Sequence, residues 1–314
     1  MIRKAVITAA GKGTRQYPAT NAVQKELFPL VDRDGIAKPT IQIILEEVTA
    51  AGVQEIAVIV QPGEERQFKQ HFTGLSPVEQ SAFRNKPWGL EQSAGLEQMR
   101  RAITYLHQTE QRGFGHAVHC AAQWAAGEPV LLLLGDHVYL SEENRSCVRQ
   151  VLEVYERSGR SVLAVQRTPI EQLHLFGVVA GEPLSDGRSY RLDRIIEKPS
   201  VDQARRQLAV AGLPADQFLA IFGIYLLTPA IFDILAENIR LDRREGGEIQ
   251  LTTALAELIA REGAVGYEVA GRRLDMGTPL GYLQTQLALG LVGPWASELR
   301  KYCDDLLSPS LGIR

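Results

Sequence analysis

The sequence predicts an α/β fold: a Rossmann-like, mixed and mainly parallel sheet flanked by helices, with a β-hairpin insertion and helices at the C-terminal end. Three observations predict it. A short apolar run, Ala5-Val6-Ile7, stops at a glycine-bearing loop and is followed by a helical pattern and a second apolar run, Glu55 to Val60, the order of a βαβ unit. Five consecutive aliphatic residues, Val130 to Leu134, mark a central strand buried on both faces. Phe176 to Val179 and Tyr190 to Glu197, separated by a turn over Pro183 to Gly187, read as a hairpin.

The loop after the first strand, Ala9-Ala10-Gly11-Lys12-Gly13-Thr14-Arg15, carries too little side chain to build a core. Glycines 11 and 13 free the backbone to aim N–H groups at one anion, and Lys12 and Arg15 add positive charge. A P-loop would need Gly-Lys-Ser/Thr four residues after a glycine, and a dinucleotide fingerprint would need a third glycine where Gln16 stands, so both fail. The expected guest is a polyphosphate. Pro39 opens a helix with Ile41, Ile44, Leu45 and Val48 on one face, closed by Gly52, and Pro62-Gly63 turns into a short helix ending near Phe72. Residues 73–101, broken by Pro77, Pro87, Gly89 and Gly95, read as an excursion with some helix near Gly95 to Met99.

Ala102 to His107 resembles a third strand, and His116 to Ala126 a helix with a small-residue face. His116 at its start supports a loop and is not assigned to catalysis. Gly135-Asp136 ends the central strand on the same edge as the glycine loop, where a carboxylate can hold Mg²⁺ on phosphate oxygens. Ser141 is expected to cap a helix to Ser158, closed by Gly159, with a strand from Ser161 to Gln166 beyond it. Leu219 to Leu227 is a long apolar strand, a helix starts at Pro229, and Asp275-Met276-Gly277-Thr278-Pro279 opens the C-terminal helices. Those helices can pack on the core or on a second subunit, so a homo-oligomer stays open.

AAGKGTR, then PAT at 18–20 and KELFP at 25–29, resembles the sugar-1-phosphate nucleotidyltransferases, and within them the bacterial UTP–glucose-1-phosphate uridylyltransferases. The resemblance continues through Gln108 to Val118, Gly135-Asp136, FGVV with IIEKP, GGEIQLT at 246–252 and Asp-x-Gly-Thr at 275–278, in family order, from Lys4 to about Leu289. It implies the nucleotide-diphospho-sugar transferase fold and transfer of a uridylyl group from UTP to glucose 1-phosphate with Mg²⁺. It further implies that Ala10, Gly11, Gly13, Thr14, Arg15, Gln108 and Gly113 bind the nucleotide, with the Gln108 amide matched to N3–H and O4 of uracil. Gly177, Glu197, Lys198 and Glu248 would bind the sugar phosphate, Arg15, Lys25 and Lys198 would be catalytic, and Asp136 and Asp275 would hold the metal. For Glu248, a helix-capping role stands equal to the sugar role. Departures at Arg112, Ile224 and Gly247 and the Asp275-Met-Gly-Thr sequence leave open another sugar 1-phosphate, or dTTP or CTP, and a silent sugar-nucleotide-binding regulator is the rival from another class.

At 314 residues, with no repeat, low-complexity tract or clean linker, one domain with insertions is the economical reading: 1–290 catalytic, 291–314 a helical extension. A net charge of −3 gives no reason to expect nucleic acid or an anionic membrane. Three scattered cysteines without C-x-x-C spacing argue against a disulfide frame or a zinc site and for a reducing compartment. No apolar run is long enough for a signal peptide or a bilayer span, so a soluble cytoplasmic protein is expected.

Overall fold

The computed structural model describes residues 2–307. Its strands are β1 (Lys4–Thr8), β2 (Pro29–Val31), β3 (Ala37–Pro39), β4 (Glu55–Val60), β5 (Ile103–His107), β6 (Val130–Leu134), β7 (His137–Ser141), β8 (Val162–Pro169), β9 (Gly177–Pro183), β10 (Ser189–Glu197), β11 (Gln217–Leu227), β12 (Ala264–Glu268) and β13 (Gly271–Asp275). Nine of them form one sheet in the order β5-β4-β1-β6-β11-β8-β12-β10-β9. The sheet divides in two. From β5 to β6 every pairing is parallel, while β11 runs antiparallel to β6 and β8, and β10 antiparallel to β12 and β9. The expected hairpin is β9–β10, and β9 also pairs back onto β11 through Leu219↔Val179, so this half curls on itself.

Alternation along the strands feeds two cores, one on each face of the sheet. Val6, Val130 and Leu132 join helices Ala230–Arg240 and Leu251–Glu262 on one side. Ala5, Ile7, Leu131 and Leu133 join helices Thr40–Ala50 and Cys147–Ser158 on the other. Helix on sheet on helix thus follows from aliphatic runs that must be covered twice.

Three local expectations are corrected. Residues 73–101 hold two helices, Pro77–Ala82 and Pro87–Ala102, because each proline sits in a first turn, where its missing N–H costs nothing. Ser76 and Glu79 add a reciprocal capping box to the first of them. The helix expected from His116 to Ala126 is split into Phe114–His119 and Ala122–Ala125. Ser141 ends β7, and the cap of helix Cys147–Ser158 is Ser146, whose Oγ accepts from the Arg149 N–H at 3.1 Å.

At the C-terminal end, helix Pro279–Gly290 is capped by Thr278, and Met276 and Leu289 pack with Phe28, Leu30, Ile43 and Val138 in a third, small core. Helix Ala296–Leu307 follows, and Leu283, Leu287, Trp295 and Tyr302 are exposed. Residues 308–314 of the expected extension lie outside the described residues. Among the described residues, no helix is long and apolar enough to cross a membrane.

Candidate active site

β1, β4, β5 and β6 are parallel, so the segments after β1, β5 and β6 reach the same sheet edge. After β1 the glycine loop turns at Gly13, which is left-handed at φ +59° and where a Cβ would come within 2.7 Å of Thr20 Cγ2. Glycine is required there for both reasons. The loop is tied down from outside: the Gln61 amide donates to the Ala10 carbonyl at 3.1 Å, and the buried Gln16 amide donates to the Met276 carbonyl. Gly11, Lys12, Thr14 and Arg15 are left exposed at its surface.

After β6, Asp136 meets Asp275 through a two-stranded ribbon, because β7 pairs with β13 in a register that sets Asp275 opposite His137. His137 Nδ1 lies 2.9 Å from Asp136 Oδ1 and its Nε2 lies 3.9 Å from Asp275 Oδ2. One ligand atom from each of Asp136, His137 and Asp275 lies within 4.8 Å of the other two. Two carboxylates from neighbouring strands suit a hard divalent cation. His137 suits the task of orienting Asp136 beside it.

Lys25 completes this centre, with Nζ 2.5 Å from Asp136 Oδ2 and 3.0 Å from Glu26 Oε1. Burial alone would raise the Asp136 carboxyl, but Lys25 and His137 outweigh it and hold the group far below the usual carboxylate range. Burial would likewise favour neutral Lys25, and Asp136 with Glu26 reverse that, keeping the ammonium charged. Glu26, fully enclosed, is pushed up to about 7 by burial despite the adjacent lysine.

Gly277 shows how tightly these groups converge. A Cβ there would lie 2.8 Å from Asp136 Oδ2, 3.0 Å from Arg15 Nη2 and 3.0 Å from Asp275 Oδ1. The Gly277 N–H itself donates to Asp275 Oδ1 at 2.8 Å. Arg15, Asp136 and Asp275, far apart in the chain, therefore surround one point.

Beside this point opens a cavity of about 270 Å³. Arg15, Asp136 and Asp275 line it with Gly177, Glu197 and Lys198. Glu197 Oε2 accepts from Thr252 Oγ1 at 2.6 Å, and a Cβ at Gly177 would sit 3.2 Å from the same oxygen. Lys198 is exposed, at φ +43°, with its N–H donating to the Phe176 carbonyl.

Gln108, after β5, is buried, and its Nε2 lies 3.1 Å from the Gly113 carbonyl and 3.2 Å from His116 Nδ1. His116, expected only to support a loop, thus touches the Gln108 amide. Gly113, at φ +114°, packs against Glu248 and Ile249 with no room for a Cβ. Glu248 itself is exposed, accepts from Gln250 Nε2 at 3.3 Å, and is outside the sugar-side cavity lining. It does not cap helix Leu251–Glu262, whose N-cap residue is Gln250.

Sequence reasoning missed four contributors: Gln61 behind the loop, Glu26 under Lys25, Thr252 on Glu197, and Arg273 in the cavity wall. Thr252 could have been read from GGEIQLT. Gln61 and Arg273 depend on contacts between distant segments, and Glu26, although next to Lys25 in the chain, on its enclosure by the fold.

An edge that gathers an anion-binding loop, two carboxylates and a polar cavity serves the transfer of phosphorylated groups, and it places the protein among α/β transferases that act on nucleotides. The chain belongs to the nucleotidyl transferase family, whose model matches residues 4–290. It is 35% identical over 297 residues to the UTP–glucose-1-phosphate uridylyltransferase of Staphylococcus epidermidis, covering 95% of each chain. It is 37% identical over 291 residues to UTP–glucose-1-phosphate uridylyltransferase 2 of Staphylococcus saprophyticus, covering 92% of each. Among solved structures it resembles UDP-glucose pyrophosphorylase complexed with UDP-glucose, with a TM-score of 0.75 at 29% identity over 92% of this chain and 98% of that one. It also resembles UTP-bound UGPase from Acinetobacter baumannii, with a TM-score of 0.79 at 25% identity over 98% and 100%.

Proposed function

We propose that the protein transfers the uridylyl group of UTP to glucose 1-phosphate, giving UDP-glucose and pyrophosphate. The observation that carries this reading is the convergence of Arg15, Asp136 and Asp275 at Gly277, at the mouth of a cavity with sugar-type ligands. The near relatives named for this reaction supply the choice of UTP and glucose 1-phosphate.

A sugar phosphate oxygen attacks the α-phosphorus in line as the bond to pyrophosphate breaks, so no covalent protein intermediate is required. The nucleophile is already ionised at neutral pH, and the barrier lies in bringing two anions together. In this reading Gly11, Gly13, Thr14 and Arg15 hold the triphosphate, beside Ala10, which is pinned through its carbonyl. Lys25, kept charged by its two carboxylates, offsets charge on the reacting phosphates. Gln108 reads the base and Gly113 lets the chain pass close to it. Its amide carbonyl is the end that His116 and Gly113 leave for a donor on the base. Glu197, fixed by Thr252, accepts from sugar hydroxyls next to Gly177, and Lys198 meets the sugar phosphate. Glu248 lies nearer Gly113 than Glu197's cavity, which favours the nucleoside end for it. Mg²⁺ held by Asp136 and Asp275 would neutralise phosphate charge and align the α-phosphorus. Residues 1–290 are taken as the catalytic domain, and the unpaired Cys120, Cys147 and Cys303 fit a reducing cytoplasm.

The test is pyrophosphate release, with and without Mg²⁺, crossing UTP, dTTP, CTP, ATP and GTP with glucose, galactose, mannose and N-acetylglucosamine 1-phosphates. The strongest signal is expected for UTP with glucose 1-phosphate and Mg²⁺. A stronger one elsewhere in the panel would replace the substrate assignment, and silence from folded protein that binds UDP-glucose would favour a regulatory role.

A further inference from the structure

Glu26 lies beneath Lys25 in a place where a charge is hard to keep. Its side chain is 1% exposed, and its stem runs past Gly135, where a Cβ would come within 2.9 Å of the Glu26 Cγ. Among the described residues neither Oε atom has a well-aligned hydrogen bond, and the one cation in contact with them is the Lys25 ammonium, 3.0 Å from Oε1. A carboxylate taken out of water is costly, and an apolar residue of similar volume is often as stable or more so in such a place. Stability therefore gives no reason for Glu26 here. Lys25 already has a closer partner in Asp136, at 2.5 Å.

That closer partner is one the lysine has to share. Of the two Asp136 oxygens, Oδ1 meets His137 at 2.9 Å and Oδ2 meets Lys25. Oδ2 is also the oxygen that faces the point enclosed by Arg15 and Asp275, since a Cβ on Gly277 would lie 2.8 Å from it. An ammonium and a divalent cation on that one oxygen would stand about 4 Å apart or less and repel each other where water is scarce. Once Asp136 serves a metal, Lys25 therefore needs another anion. Glu26 Oε1 is the carboxylate oxygen already within its reach. A shift towards it leaves the ammonium at the foot of the glycine loop, because Nζ lies 3.9 Å from where a Cβ of Gly11 would be.

We propose that Glu26 is a positioning residue: it receives the Lys25 ammonium when Asp136 turns to the divalent cation, so that lysine and metal can act on the phosphates together. Glu26 touches no substrate and acts only through Lys25. The proposal rests on the uridylyl-transfer reading for the phosphates that Lys25 meets, while the exchange of partners itself needs no substrate. No covalent bond changes and no proton moves; the ammonium changes its ionic partner and stays charged.

The decisive measurement is titration calorimetry of the whole protein with Mg²⁺, alone and with UDP-glucose bound, at pH 8, above the value of about 7 to which burial pushes Glu26. It compares the unaltered protein with Glu26→Gln, Lys25→Met and the double variant. Glu26→Gln should weaken Mg²⁺ binding about tenfold or more, because Asp136 is then the only carboxylate left to the lysine. Lys25→Met has no ammonium to rehouse, so adding Glu26→Gln to it should change Mg²⁺ affinity less than about threefold. At saturating Mg²⁺ the kcat of Glu26→Gln should fall about tenfold or more, with the KM for glucose 1-phosphate within about threefold. Its metal-free melting temperature should be no lower than that of the unaltered protein. Glu26→Asp, which keeps the charge on a shorter stem, should recover part of both losses. An equal loss of Mg²⁺ affinity with and without Lys25 would overturn the proposal, as would unchanged Mg²⁺ affinity and turnover in Glu26→Gln. A loss that comes with a markedly lower metal-free melting temperature, or no Mg²⁺ binding to the unaltered protein in either condition, would overturn it too. Turnover absent across the whole substrate panel would remove the uridylyl reading, and the Mg²⁺ titrations of the substrate-free protein would still decide for or against the exchange.

Discussion

Gly277 has room for a hydrogen and nothing larger, and its backbone is not in the left-handed region, so a methyl group there tests the site without straining the chain. Gly277→Ala is expected to cut turnover at least tenfold by pushing apart Arg15, Asp136 and Asp275, while thermal unfolding changes little; full activity would show that their convergence is not what the reaction uses. Asp136→Asn should lower turnover by roughly two to three orders of magnitude, the scale at which a preorganised charge at a reacting phosphate contributes. Unaltered Mg²⁺-dependent turnover in that variant would remove Asp136 from the metal site. Gln108→Ala, by contrast, should raise the KM for UTP and narrow the gap between UTP and other nucleotides, a change read from the substrate panel and not from stability.

The ribbon of β7 and β13 is the element on which the carboxylate pair depends, and Tyr139 anchors it to the main sheet. The buried hydroxyl of Tyr139 donates to the Gly223 carbonyl at 2.8 Å, at the irregular point of β11 where Gly223 takes φ +97°. Tyr139→Phe should cost about 1 kcal/mol, the price of one buried acceptor left unpaired, and thermal melting will show whether that is so. This ribbon is also where reading the sequence fell short. β1, β4, β6 and β11 announce themselves as aliphatic runs, because strands covered on both faces need little else. β7 and β13 are short, mixed in polarity and paired only with each other, and such pairing leaves no local pattern. Pro77 and Pro87 misled for a different reason: proline in a first turn and proline as a breaker look alike until the flanking caps are seen. At the site itself, Asp136, Asp275 and Arg15 were legible through strand ends and motif order. Glu26 was not, since a charged residue in KELFP gives no sign that the fold will enclose it, and Arg273 was hidden beside an arginine that faces solvent.

For the molecule as a whole, two enclosed glutamates make stability fall as pH rises, against three histidines that act the other way. Glu47 is raised by burial to about 6, although it accepts from the Val148 N–H at 3.1 Å, and Glu26 is raised to about 7. Each has a folded pKa above its unfolded value of about 4.5, so the folded state holds these protons more tightly. The resulting stabilisation is fully present below pH 4.5 and is lost as pH rises through 6 and 7. Glu47 accounts for on the order of 2 kcal/mol of this, opposed by His71, His116 and His119, whose pKa values burial lowers so that they favour the fold as pH rises; the Glu47 share is the difference in melting temperature between pH 5 and pH 8 that its removal abolishes, a few degrees. Glu47→Gln, which keeps the acceptor and removes the titration, should flatten that slope; an unchanged slope would show that Glu47 does not carry it. The pairing of β7 with β13 also bears on how the protein is made. Every strand of the parallel half, and Asp136 itself, leaves the ribosome long before Gly271–Asp275 does. A growing chain can therefore assemble its glycine loop and central sheet while lacking the second carboxylate, and it gains a complete centre only after β13 has been synthesised. A chain that stops between Glu268 and Asp275 has every strand of the main sheet and lacks the second carboxylate.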